Sequence, residues 1–258
     1  PTSSTVATTT TVLPSTTTTT TLPVLTGLVW DEVADLDGFV TAIEPIGDEM
    51  LVATKDGLIR RLGPDGPSVV FDLSGLVRDS GEQGLLDLAV HPDGARFFVH
   101  YSARDGDTVR GEVALPDGAE PVELYRTGQP ARNHNGGSIE FGPDGMLYLA
   151  LGDGGGANDR FGHGQNLESP LGAIHRFDVT TEGAALPAAG NPFLDGPVPS
   201  MWAYGVRNPW RIAFTTAEQL GPGGPSLIVA DVGQNAWEEV TVLPASAAGQ
   251  NLGWPIQE

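Results

Sequence analysis

The sequence predicts an all-β chain folded as a β-propeller, and three observations lead there. A turn followed by a strand recurs four times, as GDEMLVATKDGLIRRL from Gly47, HPDGARFFVHYS from His91, FGPDGMLYLALGDG from Phe141 and GPGGPSLIVADVGQ from Gly221. The two clearest copies, Pro92-Asp93-Gly94 and Pro143-Asp144-Gly145, lie 51 residues apart, and a period of roughly 40 to 50 residues with several short strands per unit marks propeller blades. Composition agrees, because 35 glycines and 21 prolines in 258 residues suit turn-rich β structure better than a helical bundle. Helical periodicity is nearly absent. A parallel α/β fold would need it, and a β-sandwich would show no such repeat.

Taken in order, the chain opens on a low-complexity tract. Residues 1 to about 25 carry threonine runs at 8–11 and 16–21 with serine and proline between them, too few apolar side chains to offset an ordering cost of roughly 1–2 kcal/mol per residue. The tract is expected to be a disordered linker. Such tracts commonly follow an export signal or a lipid anchor, and the chain starts at Pro1 without a methionine, so export is expected. From about residue 26 to 258 the reading is a partial propeller of four to four and a half blades. Leu51, Phe97, Phe98, Val99, Leu147, Leu149, Ile228 and Val229 are the expected core, because blades bury their faces on their neighbours.

Charge and hydropathy exclude several partners. A net charge of −20 with 13 basic residues spread along the chain disfavours nucleic acid and anionic membranes, which require Lys and Arg clusters. No apolar run approaches the roughly 18 residues needed to span a bilayer. The absence of cysteine fixes no redox compartment.

The stretch from Asn133 to Phe177 is the most informative. Ser138, Glu140 and Gly142 alternate with Ile139 and Phe141, and after a PDG turn Leu147, Leu149 and Leu151 alternate with Tyr148 and Ala150, which predicts a hairpin with one buried face. His134 stands at its entrance, and a long glycine-rich loop follows from Gly152 to Gly162. Loops of that kind usually serve a site. A lone histidine beside Asn and Gly is more often a hydrogen-bonded loop residue than a base, and Asp153 and Asp159 in the loop read first as turn residues and second as Ca²⁺ ligands.

Five blocks then carry a resemblance. Gly81-Glu82-Gln83-Gly84-Leu85-Leu86 with Leu88-Ala89-Val90-His91-Pro92, Asn133-His134-Asn135-Gly136-Gly137, Gly205-Val206-Arg207-Asn208-Pro209-Trp210, Asp231-Val232-Gly233-Gln234-Asn235 with Trp237-Glu238-Glu239-Val240, and Asn251-Leu252-Gly253-Trp254-Pro255 resemble the soluble quinoprotein glucose/sorbosone (aldose sugar) dehydrogenases. The resemblance implies a six-bladed propeller of four-stranded blades that binds pyrroloquinoline quinone (PQQ) and Ca²⁺, oxidises an aldose at C1 to the lactone, and is periplasmic or secreted. By the same resemblance His134 is the general base, Arg207 stabilises negative charge on the quinone oxygen, and Asn208 donates to the cofactor. Glu82 stands where glucose-type members carry glutamine and aldose-type members often carry an acid. The carbonyls of Gly233 and Gln234 match the calcium ligands beside the cofactor, with Gln234 where some members have proline, and Glu239 with the Leu252 carbonyl matches a second calcium position.

The resemblance also raises an expectation about extent. Family members continue beyond the NxGWP block and take cationic anchors for the cofactor's carboxylates from their last blades, while no basic pair here is left over for that role. The chain is therefore expected to be part of a longer protein, an open arc lacking about two blades, and inactive by itself. Two other functions fit the blocks: a non-catalytic binding module like the hedgehog-interacting proteins, and a Ca²⁺-dependent propeller hydrolase such as a lactonase. The hydrolase would need carboxylates converging on the channel.

Overall fold

Four antiparallel sheets stand in sequence order in a computed structural model that describes residues 31–115, 120–215 and 224–257. The first sheet is β1 (Val40–Ile46), β2 (Glu49–Thr54), β3 (Leu58–Gly63) and β4 (Gly66–Asp72), and the second is β5 (Leu85–Val90), β6 (Arg96–Ser102), β7 (Thr108–Ala114) and β8 (Val122–Thr127). The third holds β9 (Ile139–Phe141), β10 (Leu147–Leu151), β11 (Ala173–Asp178) and the two-residue β12 (Leu186–Pro187), with β13 (Met201–Tyr204) also paired to β11. The fourth is β14 (Pro209–Thr215), β15 (Ser226–Asp231) and β16 (Glu239–Pro244). This is a β-propeller arrangement of four blades, and no described residue is helical. Residues Leu36–Glu258 form one compact unit; of Pro1–Asp35 only residues 31–35 are described, without regular structure, so the expected linker lies outside the described residues.

The repeat has a structural meaning. Gly47-Asp48, Pro92-Asp93-Gly94 and Pro143-Asp144-Gly145 each join the first strand of a blade to its second. In the third blade Asp144 Oδ1 accepts from Met146 N at 3.1 Å while Gly145 adopts φ +76°, a left-handed turn residue that glycine supplies without a Cβ clash. The corresponding connection of the fourth blade falls in residues outside the description. The predicted hairpin is β9–β10, paired Phe141 to Leu147, Glu140 to Tyr148 and Ile139 to Leu149.

Its single buried face is a misreading, because β10 is buried throughout. Leu147, Leu149 and Leu151 pack with Ala89 and Phe98 of the second blade, while Tyr148 and Ala150 pack with Trp202, Ile212, Leu227 and Val229 toward the fourth. A blade is covered on both faces, so its middle strands lose the polar alternation of a half-exposed strand. Each large side chain buried there contributes about 1.5–3 kcal/mol. Of the expected core residues only Ile228 is half-exposed; its neighbour Leu227 is the buried one. The blades also depart from four strands each, with three described in the fourth and a fifth added to the third.

The first strands of the four blades enclose a cavity of about 310 Å³ lined by Glu44, Asp87, Ser138, Glu140 and Arg211. The Arg211 guanidinium donates to the Thr41 carbonyl, so β14 and β1 meet across this space. Val40 and Ile43 of β1, which also line this cavity, and Val240 and Val242 of β16 are exposed.

Burial first, then repulsion from Glu140 and Asp87, pushes Glu44 up to about 7. Glu140 rises to about 7 for the same reasons, burial first and Asp87 second, and burial takes Asp87 to about 6 against the pull of Arg211. Carboxyls whose folded pKa exceeds the unfolded value favour the fold below about pH 4, and that contribution is lost as pH rises through about 6 to 7. Glu140→Gln is expected to stabilise the chain at pH 8 by about 1 kcal/mol, discounted for partial solvent access, and to give no gain at pH 4. Urea midpoints at the two pH values check it.

Candidate active site

Three loops, each entering the first strand of its blade, deliver the site residues to the same end of the row. Glu82 precedes β5, the segment 133–137 precedes β9, and Arg207-Asn208 precede β14. Glu82 Oε2 accepts the backbone N–H of His134 at 2.8 Å and lies 3.4 Å from Asn208 Nδ2. Asn208 Oδ1 accepts from Gly136 N at 2.9 Å. Glu82 thus holds the His134 backbone and the Asn208 side chain together.

His134 is 3% exposed and sits at φ +55°, in the left-handed region that non-glycine residues rarely adopt. Its Nδ1 meets Asp153 Oδ1 at 2.6 Å, and the fully buried Asp153 also accepts from Gly155 N at 2.9 Å and, on Oδ2, from the Trp254 indole N–H at 2.9 Å. A carboxylate can only accept from Nδ1, so Nδ1 carries a proton, and in the neutral imidazole the lone pair is then on Nε2. That Nε2 makes no hydrogen bond among the described residues.

The other two buried histidines differ. Both ring nitrogens of His100 are bonded, to the Gly137 carbonyl and Thr108 Oγ1, and both of His175, to Ser200 Oγ and the Pro170 carbonyl. Burial pushes their pKa values down to about 3 and about 4. They are neutral structural groups.

Arg207 and Asn208 are fixed from below by Asp231, whose two carboxylate oxygens accept their backbone N–H groups at 2.9 and 2.6 Å. Burial raises the Asp231 pKa to about 6, with Glu239 adding to the shift. The Arg207 guanidinium lies 5.4 Å from the centre of the Trp254 ring, and its Nη1 donates to the carbonyls of Val232 and Gly233 at 2.8 and 2.9 Å. Its Nε–H is buried without an acceptor. The Arg207 carbonyl accepts from Asp153 N at 2.8 Å, so the arms carrying His134 and Arg207 are joined through Asp153 and Trp254. Gly152 makes that closeness possible, since a Cβ there would stand 2.1 Å from the His134 carbonyl oxygen and 3.0 Å from that of Arg207.

The calcium residues come out differently. The Gly233 carbonyl is occupied by the Arg207 guanidinium, and the Gln234 side-chain amide pairs with Asn158 of the glycine loop. Glu239 opens β16 opposite Asp231, while Leu252 is tied by its N–H to the Tyr204 carbonyl. Asp159 closes an ordinary turn, accepting from His163 N and Gly164 N, and Asp153 is the partner of His134 and Trp254. Among the described residues no three or more His, Asp or Glu side chains are grouped to hold a metal. The buried Arg207 Nε–H has no acceptor and suits an oxygen-rich anion such as PQQ, whereas a cation at the Gly233 carbonyl would have to displace Arg207.

The family model for glucose/sorbosone dehydrogenase matches residues 40–258. The chain belongs to this family. It is 38% identical over 209 residues to the HIPL1 protein of Arabidopsis thaliana, covering 72% of this chain and 27% of that protein. It is 29% identical over 232 residues to aldose sugar dehydrogenase YliI of Escherichia coli strain K12, covering 83% of this chain and 58% of that one. The PQQ-bound aldose sugar dehydrogenase of Streptomyces coelicolor superposes with a TM-score of 0.71 at 28% identity, over 90% of this chain and 66% of that chain. The chain therefore spans 27% of the first and 58% of the second of these curated relatives. No described helix is long and apolar enough to cross a membrane.

Proposed function

We propose that the protein oxidises an aldose at C1 to the lactone with PQQ as acceptor, and that His134 is the base. The observation that carries this reading is the bare Nε2 of a buried histidine whose Nδ1–H is held by Asp153 at 2.6 Å, in a family of sugar dehydrogenases. When bound, PQQ supplies a two-electron acceptor for the hydride that leaves sugar C1. Nε2 of His134 takes the proton of the C1 hydroxyl, and the resulting imidazolium is stabilised by the Asp153 carboxylate. The Arg207 guanidinium, with its spare Nε–H, would stabilise negative charge growing on the acceptor oxygen, and Asn208 Nδ2 would add a neutral donor. Glu82 keeps the His134 backbone and the Asn208 side chain in register, which is positioning of the kind that converts a bimolecular step into a unimolecular one.

Calcium enters only as an ion that the Gly233 and Gln234 carbonyls would take together with the cofactor, once Arg207 has left Gly233; the Glu239 and Leu252 pair is the weaker second position. The 258-residue chain alone is proposed to hold PQQ weakly, since uncompensated carboxylates in a partly dry cleft cost several kcal/mol each. A periplasmic or secreted location, with the threonine-rich segment as tether, goes with the proposal.

A non-catalytic binding module is the second reading, favoured by the 38% identity to HIPL1, whose name states no activity. Reconstitution of the full-length protein with PQQ and Ca²⁺, followed by dye reduction with several aldoses, separates the two. Saturable, sugar-dependent reduction supports the enzyme, and its absence with every aldose supports the binding module.

A further inference from the structure

We infer that Trp254 is a positioning residue for His134, acting through Asp153. The inference rests on the reading of His134 as the base.

Asp153 is gripped by both carboxylate oxygens: Oδ1 accepts from His134 Nδ1 and Gly155 N, and Oδ2 from the Trp254 indole N–H. A buried carboxylate bonded at one oxygen can turn about its Cβ–Cγ bond; bonded at both, it keeps Oδ1 aimed at Nδ1. The indole N–H is a donor only, so the contact has one polarity, and that polarity propagates. The indole bond at Oδ2 stabilises the ionised Asp153, which accepts at both oxygens, and toward such an acceptor the neutral imidazole keeps its proton on Nδ1 and its lone pair on Nε2.

The indole is itself fixed independently of Asp153. The Trp254 backbone N–H donates to the Gly205 carbonyl at 3.0 Å, the Trp254 carbonyl accepts from Gln165 Nε2 at 2.6 Å, and the residue is 5% exposed. Its ring face carries the Arg207 guanidinium. One side chain thus sets the orientation of both groups that face the reacting atoms. The charged groups around the His134 ring are Asp153 at Nδ1, Glu82 at the backbone N–H, and Arg207 across the indole.

The test reads the tautomer directly, in the full chain labelled with ¹⁵N-histidine and without cofactor, for wild type, Trp254→Phe and Gln165→Leu. Phenylalanine keeps a ring face for Arg207 and removes the N–H; leucine at 165 loosens the Trp254 backbone and leaves the indole bond. Wild type should show His134 protonated at Nδ1 in one dominant tautomer. Trp254→Phe should show averaged ring-nitrogen shifts, a roughly tenfold loss of tautomer preference, as expected for losing one bond to a charged group. Gln165→Leu should match wild type. An unchanged tautomer in Trp254→Phe overturns the inference, as does an equal disturbance in Gln165→Leu, which would mark a general structural role of the segment.

Should Trp254→Phe not fold, the wild-type indole proton decides. A downfield, exchange-protected Trp254 resonance is expected, and an ordinary exchanging one contradicts the link. Because these readouts need no turnover, they test the link from Trp254 through Asp153 to His134 separately from the proposed function, which failure of the full-length protein to oxidise any aldose would sink. Where sugar oxidation is found, Trp254→Phe should lower kcat and leave KM nearly unchanged.

Discussion

Replacing His134 by alanine is expected to lower aldose-dependent dye reduction by the full-length protein by roughly 10²- to 10⁴-fold, the usual contribution of a positioned general base. The effect is this large because Nε2 is the one basic lone pair that the buried core of the site leaves free; Asp153 has all its contacts committed and the histidines at 100 and 175 are bonded at both nitrogens. Binding of PQQ should change little. Arg207 and Asn208 keep their Asp231 clamp, whose bonds do not pass through His134, so quinone titration of the variant should give a stoichiometry like that of wild type. Activity within tenfold of wild type would remove His134 from the chemistry.

Asp153→Asn should be nearly as damaging with less change in shape. An asparagine at this position can keep the acceptor oxygen toward Trp254 only by turning its amide N–H₂ toward His134 Nδ1. The imidazole then accepts at Nδ1 and carries its proton on Nε2, where it can no longer receive one from sugar. The analogous change in a serine-protease triad costs roughly 10⁴-fold with geometry intact, and a loss of roughly 10³- to 10⁴-fold in kcat is expected here, with KM nearly constant. A variant that loses KM and keeps kcat would show that Asp153 serves binding instead.

The blade repeat was legible because the turn between first and second strands has the same chemistry in the second and third blades: an Asp that accepts from the backbone two residues on and a Gly at positive φ. Burial was less legible. The alternation of Leu147, Leu149 and Leu151 with Tyr148 and Ala150 has period two, yet in a propeller both sets are buried, one against each neighbouring blade. The backbone of the site could be read from its blocks, since Glu82, His134, Arg207 and Asn208 all lie in them and do come together. Asp153 could not. It is 19 positions from His134 and 101 from Trp254, and a short acid in a glycine-rich loop looks like a turn residue until the fold supplies its partners. Asp231 was visible as part of a block, but only the β15–β14 pairing shows that it fixes the Arg207-Asn208 turn. For the Gly233 and Gln234 carbonyls, sequence could not show that the first of them accepts from the Arg207 guanidinium.

The most direct measurement is a single-turnover reduction of the PQQ-loaded full-length protein by an aldose carrying deuterium at C1, compared with the unlabelled sugar. If His134 removes the hydroxyl proton while hydride leaves C1, the cofactor spectrum should change more slowly with the deuterated sugar in wild type, and not at all on that timescale in His134→Ala. Reduction at equal rates with both sugars would place the rate-setting bond elsewhere, and no reduction by any aldose would contradict the account.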